Sequence, residues 1–334
     1  MRGIRYERFG DYSELTLVEL PDPRPGEGTA VVRMTVAGVT PLDNTIRAGH
    51  MAPELHKPLP IVPGGVGVGR VEDPGTTGLP EGTRVLIAGP GYGTLQDGTW
   101  REYLEADPAH LLPLPDDVSD LDVAALVTGA GYLTAYLALT ELVSFQPGQS
   151  VLAPGIGGSV GFGGVEVARV LGAATAISTA STTEKAVLGR KAGYDVIDLS
   201  QESLREGVAR LTDGRGVDVV LDGIGGPLTG EALGSLARSG TLVSVGYSGG
   251  TQASVNVTDL IWKALHVQGF KFALFRPSVL GAAITTLLDW LAAGTISPTI
   301  GTVFPLEQAA QAQRHLMEDR PFGRVLLTFA APGQ

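Results

Sequence analysis

The chain predicts an α/β protein of two domains, a β-rich barrel-like one followed by a doubly wound parallel sheet. Three observations carry this. To about Asp120, strand-length runs rich in β-branched residues alternate with glycine and proline clusters. Beyond Val151 strands alternate with helices instead. At the change of texture stands VLAPGIGGSVGFGGVEVARVLGA, a buried-strand run, a glycine turn and a stretch of helical spacing.

In the first part, LTLVELP, TAVVRMTVAGV, GVGRVE and TRVLIAG read as strands, and PDPRPGEG, DPGTTGLPEG and GPGYGTLQDG as turns, with almost no helical period. A helix is then expected from about Asp122 to Val143. Within it, Val123 to Thr140 is free of charge and meets the length test for a membrane span. Its Gly129 and Gly131, and its many Ala and Thr, make it read as a buried helix joining two domains.

After Val151 the strands are ATAISTA, YDVIDL, VDVVLDGIGG, GTLVSVGY and HVQGFKF, and the helices between them are TEKAVLGRKAG, SLREGVARLT and LTGEALGSLA. Crossovers of this kind make a parallel sheet with helices on both faces. The tail from Pro277 holds two helices and the strand GRVLLTF, which is expected to return to the first domain.

Composition removes several functions. The formal net charge is −11, from 24 basic and 35 acidic residues, which disfavours a nucleic-acid partner. There is no cysteine, so disulfides, thiolate metal sites and cysteine nucleophiles are absent. The five histidines are dispersed without metal-binding spacing. The charged opening MRGIRYERFGDYSEL lacks a signal-peptide core. Together these lead us to expect a cytoplasmic protein acting on a small molecule, with neither membrane nor nucleic acid as partner.

The glycine turn supports two chemistries. Its spacing Gly155-x-x-Gly158-x-x-Gly161 departs from the strict dinucleotide fingerprint, which would put the third glycine at Val160, yet it suits a pyrophosphate at a helix N-terminus. The same residues spell Gly157-Gly158-Ser159-Val160-Gly161, a nucleophile-elbow pattern, for which Asp222 and His266 or His315 would complete a triad. The end of the next strand bears on the choice. Ser178-Thr179-Ala180-Ser181-Thr182-Thr183-Glu184-Lys185 has no acid where an NAD site usually places one, and its hydroxyls and Lys185 suit a 2′-phosphate. The bland reading makes Ser181 a helix N-cap and Lys185 a solvated charge.

In order along the chain, AGVTPLDNTIRAGH, LPIVPGGVGVGRVE, YLTAYLAL, GIGGSVG, STASTTEK, RGVDVVLDGIGG, GTLVSVGYSG, VQGF and FGRVLLTF resemble zinc-independent medium-chain dehydrogenases/reductases of the quinone oxidoreductase and enoyl reductase type. The resemblance covers nearly the whole chain. It implies a GroES-like domain over 1–123 with 275–334 and an NADP-binding Rossmann domain over 124–274. It also implies that Gly155, Gly158, Ser159, Val160 and Gly161 wrap the pyrophosphate. Thr179, Ser181 and Lys185 would then hold the adenosine ribose and its phosphate, Thr134 and Gly246 would lie near the nicotinamide half, and Phe270 and Arg324 would close the site.

Zinc-dependent relatives place metal ligands where this chain has Thr40-Pro41 and Gly64-Gly65-Val66. Many relatives have Asn at the place of Thr40, which would reach the nicotinamide ribose less well. Several have Tyr at the place of Thr45, and a threonine hydroxyl is a poor general acid. Tyr92 is then the candidate substitute donor, or a packing residue; Asp43 and His50 read as structural. The implied function is NADPH-dependent hydride transfer, without metal, to a quinone or to the β-carbon of an α,β-unsaturated carbonyl. The alternatives are a reductase of an unusual acceptor such as an imine, a non-catalytic NADPH-binding protein and, last, a hydrolase using Ser159. The edge strand HVQGFKF and the family habit predict a homodimer.

Overall fold

The run Ala30–Gly38 forms a nine-residue strand and carries the first sheet. In this computed structural model, which describes residues 1–329, it pairs antiparallel with Gly67–Asp73, with Tyr103–Ala106 and with Arg324–Thr328. The closing strand Arg324–Thr328 therefore lies beside a strand from the start of the chain. The sheet continues through Arg84–Ile87 to Leu111–Pro113 on one side and to Ile300–Pro305 on the other. Val32, Met34, Val85, Ile87 and Leu104 are buried together on one side of it; Ile4, Ala37, Ile46, Trp100 and Leu327 are buried in a second cluster.

The second sheet has six strands, all parallel, in the order Asp195–Asp198, Thr175–Ala180, Ser150–Ala153, Val217–Asp222, Leu236–Ser244 and His266–Gly269. The chain starts in the middle at Ser150–Ala153, winds outward one way, then returns to Val217–Asp222 and winds out the other way. Ligands of such sheets bind at the carboxyl ends of the strands where the winding reverses. The glycine turn leaves the first strand at that place. The inner strands of the sheet are covered by apolar side chains, among them Leu152, Ile177, Val220 and Leu242, each fully buried.

Three expectations need correction. The helix expected over Asp122 to Val143 is two helices, Asp120–Val127 and Gly131–Leu137, the second continuing as a π-helical turn over Ala138–Leu142. Between them Gly129 (φ 71°) and Ala130 (φ 50°) are left-handed, and two such residues in succession end the helical hydrogen-bond ladder. The run that satisfied the length test for a membrane is thus interrupted near its middle.

The unit boundaries differ too. The compact units are Met1–Gly129 with the chain from Pro298, and Ala130–Ser297. Helix Pro277–Ala292, assigned from the sequence to the first domain, belongs to the second, where Trp290 meets Tyr136 edge-on at 5.5 Å. Finally, the first unit contains helix Pro41–Arg47, which at seven residues is too short to leave a period. Its sign was local: Thr40 and Asp43 form a capping box, with the Thr40 hydroxyl accepting from Asp43 N–H and the Asp43 carboxylate accepting from Thr40 N–H.

Candidate functional site

Gly155 turns the chain at φ 87°, a left-handed conformation that glycine adopts without the Cβ penalty. Its N–H donates to the Thr179 hydroxyl at 3.0 Å, and its carbonyl accepts from Gly158 N–H at 2.8 Å. Gly158 then caps helix Ser159–Val170 with no side-chain partner. Gly161 packs directly under the turn: a Cβ there would stand 2.1 Å from the Gly155 carbonyl oxygen. A Cβ on Gly158 meets only that same oxygen, at 3.3 Å, so its outer side is open. The result is a turn whose inner side is filled by backbone and whose outer side is free for backbone–phosphate approach, ahead of a twelve-residue helix. The first N–H groups of that helix have no intrahelical acceptor and carry the positive end of its dipole. This cradle fits a pyrophosphate.

The neighbouring carboxyl ends close around it. A Cβ on Gly223 would come within 2.8 Å of Val160, and one on Gly246 within 2.5 Å of the Gly223 carbonyl oxygen. Val160, Gly223 and Gly246 thus form a contiguous wall in which only Val160 has a side chain. Gly223 was not singled out in the sequence, although it sits in the GIGG run after its strand. Thr134 is buried in helix Gly131–Leu137, which approaches helix Ser159–Val170 through two glycines: a Cβ on Gly131 would stand 2.0 Å from Ser159 O, and one on Gly163 2.8 Å from Tyr132 N.

At the end of strand Thr175–Ala180 the predicted trio separates. Thr179 is buried and its hydroxyl braces Gly155 from beneath. Ser181 is exposed and Lys185 half-buried. The N-cap of helix Thr183–Lys191 is Thr182, which accepts from Lys185 N–H, so Ser181 is not the cap and its exposed hydroxyl is left for a ligand. Among the described residues no acid pairs with the Lys185 ammonium. Phe270 follows the last strand and lies in a ring cluster with Phe272 at 5.0 Å and Phe275 at 5.6 Å.

In the first unit Arg324 opens the strand Arg324–Thr328, almost wholly buried, with its N–H on Thr299 O at 2.9 Å. The Thr40 hydroxyl donates to Asp43 at 2.7 Å while serving as helix cap. The other Asp43 oxygen accepts Gly64 N–H at 3.1 Å, so this carboxylate fastens together the two segments that carry metal ligands in zinc-dependent relatives. Burial pushes the Asp43 carboxyl above its ordinary range, against the three hydrogen bonds that favour its charge. Thr45 donates its hydroxyl to Pro41 O at 3.0 Å, within its own helix. Tyr92 is buried in the apolar cluster with Val85 and Ile87; its hydroxyl meets His110 Nδ1 at 3.2 Å, and burial pushes its pKa up to about 12.

The acid of the hydrolase constellation is already engaged. One Asp222 oxygen accepts N–H of Ile224 at 3.0 Å and of Gly225 at 2.9 Å, and the other accepts the Thr229 hydroxyl at 2.5 Å. That carboxylate is spent on its own turn. Ser159 begins a regular helix, and His266 is exposed on the edge strand.

Comparison with known proteins agrees with this geometry. Residues 26–116 match the alcohol dehydrogenase GroES-like domain, and residues 192–327 match the zinc-binding dehydrogenase family. The chain is 33% identical over 334 residues to quinone oxidoreductase-like protein 2 of Bos taurus, covering 98% of this chain and 93% of that one. It is 31% identical to a 2-haloacrylate reductase of Burkholderia sp, covering 91% of each. Among solved structures, an Escherichia coli quinone oxidoreductase complexed with NADPH superimposes with a TM-score of 0.85 at 27% identity over 98% of this chain and 100% of that one. An NAD-dependent alcohol dehydrogenase does so with a TM-score of 0.87, also at 27% identity, over 99% and 100%. The two zinc-ligand segments reduced to Thr40-Pro41 and Gly64-Gly65-Val66, the glycine cradle and these relatives agree: the chain is an oxidoreductase of the quinone oxidoreductase-like branch of the medium-chain dehydrogenase/reductase superfamily, a family that binds NAD(P).

Proposed function

We propose that this protein is an NADPH-dependent reductase that transfers hydride, without a metal, to a quinone or to the β-carbon of an α,β-unsaturated carbonyl. The observation that carries the choice of NADPH is the end of strand Thr175–Ala180, which has no acid but an exposed Ser181 and a Lys185 ammonium with no acidic partner among the described residues. Acid at that place would hold ribose hydroxyls and repel a 2′-phosphate; a hydroxyl and an ammonium do the reverse.

When bound, the coenzyme supplies a hydride from the nicotinamide ring. The chain's own contribution is to hold and orient. Gly155, Gly158 and Gly161 let the backbone approach the pyrophosphate, the N-terminus of helix Ser159–Val170 offsets its charge, and Thr179 keeps the turn in place. Neither side chain considered as proton donor is poised for it, since the Thr45 hydroxyl donates its hydrogen bond to Pro41 O and Tyr92 lies in the core against His110. Protonation is therefore assigned to water, which suits a quinone and suffices for an enolate. The 2-haloacrylate reductase relative supports an activated alkene as acceptor.

The test is NADPH and NADH oxidation against a panel of enones, haloacrylates, quinones and imines, with deuterium-labelled coenzyme to locate the hydride. Preference for NADH would sink the coenzyme assignment. Tight NADPH binding with no oxidation across the panel would leave a binding protein.

We further propose that it works as a homodimer. The outermost strand His266–Gly269 is exposed at every residue, and beside it Val267, Ile261 and Trp262 are exposed by 59%, 67% and 75%. A second copy related by a two-fold axis presents the same strand and the same apolar face, continuing the sheet and covering it.

A further inference from the structure

The chain passes between its two units twice, at Gly129–Ala130 and at Ser297–Pro298. One carboxylate in the second unit reaches both passages. Glu166, half-buried in the phosphate-facing helix Ser159–Val170, accepts the hydroxyl of Tyr132 on its Oε2, two residues after the first passage. The same oxygen accepts the backbone N–H of Ser297, the last residue before the second, at 3.2 Å. Its Oε1 takes the hydroxyl of Tyr194 at 2.7 Å; that ring packs on Phe162, with Arg169 over its face at 4.6 Å, fixing the carboxylate from the helix side.

The first passage also touches the helix directly. Gly131 lies so close to Ser159 O, and Gly163 to Tyr132 N, that a methyl group fits at neither. The residue between the passage and this contact, Ala130, is left-handed at φ 50°, a conformation a non-glycine residue keeps only when its surroundings hold it. The second passage follows helix Pro277–Ala292, which is seated on helix Gly131–Leu137 through Trp290 and Tyr136. Thus the helix whose first turn cradles the pyrophosphate holds, two turns later, the chain at both crossings.

We propose that Glu166 is a positioning residue: it couples the nucleotide held at the glycine turn to the order of both passages, 129–132 and 296–299. This rests on the nucleotide-binding reading above. A ligand that rigidifies the first turn of the helix reduces the motion of the carboxylate farther along it, and hence of the groups hydrogen-bonded to that carboxylate. No charge moves and no bond changes; the coupling is mechanical and shared by one oxygen atom.

Hydrogen exchange with and without NADPH tests it on the full chain. In the native protein, NADPH is expected to slow exchange at 155–161 and, by about tenfold or more, at 129–132 and 296–299 as well. In Glu166→Ala, which removes the shared acceptor, the slowing at 155–161 remains and that at both passages is lost. Tyr132→Phe loses it at 129–132 alone, and Tyr194→Phe, whose partner lies on neither passage, keeps it at both. Retained slowing at both passages in Glu166→Ala overturns the proposal. Should that variant not fold, retained slowing at 129–132 in Tyr132→Phe overturns it equally. No slowing at 155–161 in the native protein refutes the nucleotide-binding reading instead, a result distinguishable from failure of the coupling.

Discussion

Asp43 accepts the N–H of Gly64 at 3.1 Å while its other oxygen holds Thr40 by hydroxyl and backbone, so one buried carboxylate fixes two loops that zinc-dependent relatives join through metal. Removing it in Asp43→Ala leaves the N–H groups of Thr40 and Gly64 without their acceptor. Because unpaired buried donors cost about 1 to 3 kcal/mol each, a loss of about 3 kcal/mol in unfolding free energy is expected, measured by urea titration. The sign of the pH effect follows from the raised pKa. The folded state holds the Asp43 proton more tightly than the unfolded state, so stability falls as pH rises from the ordinary carboxylate pKa through the raised one. Asp43→Asn lacks this dependence, and the native-minus-variant difference should decline across that window.

Lys185→Ala should weaken NADPH without touching NADH. A charge-assisted hydrogen bond contributes about 1.5 to 3 kcal/mol, which is about tenfold to a hundredfold in Kd. Calorimetric titration with both coenzymes reads the split; equal weakening of both would refute a phosphate-selecting role.

The glycine turn separates folding from binding. Gly161→Ala sets a methyl group 2.1 Å from Gly155 O and is expected to destabilise the fold by about 2 kcal/mol or more. Gly158→Ala meets only one atom, at 3.3 Å, and should stay within about 1 kcal/mol of native stability while losing NADPH affinity, because its methyl group occupies the open side of the cradle. Thermal unfolding and calorimetry on the pair decide this.

Tyr92→Phe removes a hydroxyl bonded to His110 in the core. The expectation is a stability loss of about 1 kcal/mol with kcat unchanged on an active acceptor. A drop of an order of magnitude or more in kcat at native-like stability would restore Tyr92 as the proton donor.

If the edge strand is a dimer interface, light scattering will give twice the 34.6 kDa chain mass for the native protein. Val267→Glu or Trp262→Glu places a charge on the exposed apolar face and should yield monomers with an unchanged circular dichroism spectrum.

The parallel sheet was legible because its central strands, Ser150–Ala153 and Val217–Asp222, are mostly apolar runs buried on two faces and helix Leu204–Leu211 is amphipathic. The glycine turn and the zinc-free loops were likewise plain, being matters of residue type. Helix Pro41–Arg47 was written only in its cap, and the strands Leu111–Pro113 and Ile300–Pro305 at the margins of the first sheet were not read from the sequence. What tertiary structure alone decided is what each polar group faces. Sequence offered Thr179 and Ser181 together as ligands of a ribose and its phosphate, but Thr179 is still in the buried strand and its hydroxyl is taken by Gly155 N–H, while Ser181, one residue past the strand, is exposed. It offered Tyr92 as a loop acid, but the loop folds its ring into the core. Nothing in the local sequence marks Glu166 as the meeting point of Tyr132, Tyr194 and Ser297, which lie 34, 28 and 131 residues away. Local pattern is set by short-range sterics and burial, whereas the partner of a carboxylate is set by whichever distant backbone the closed fold brings within hydrogen-bond reach.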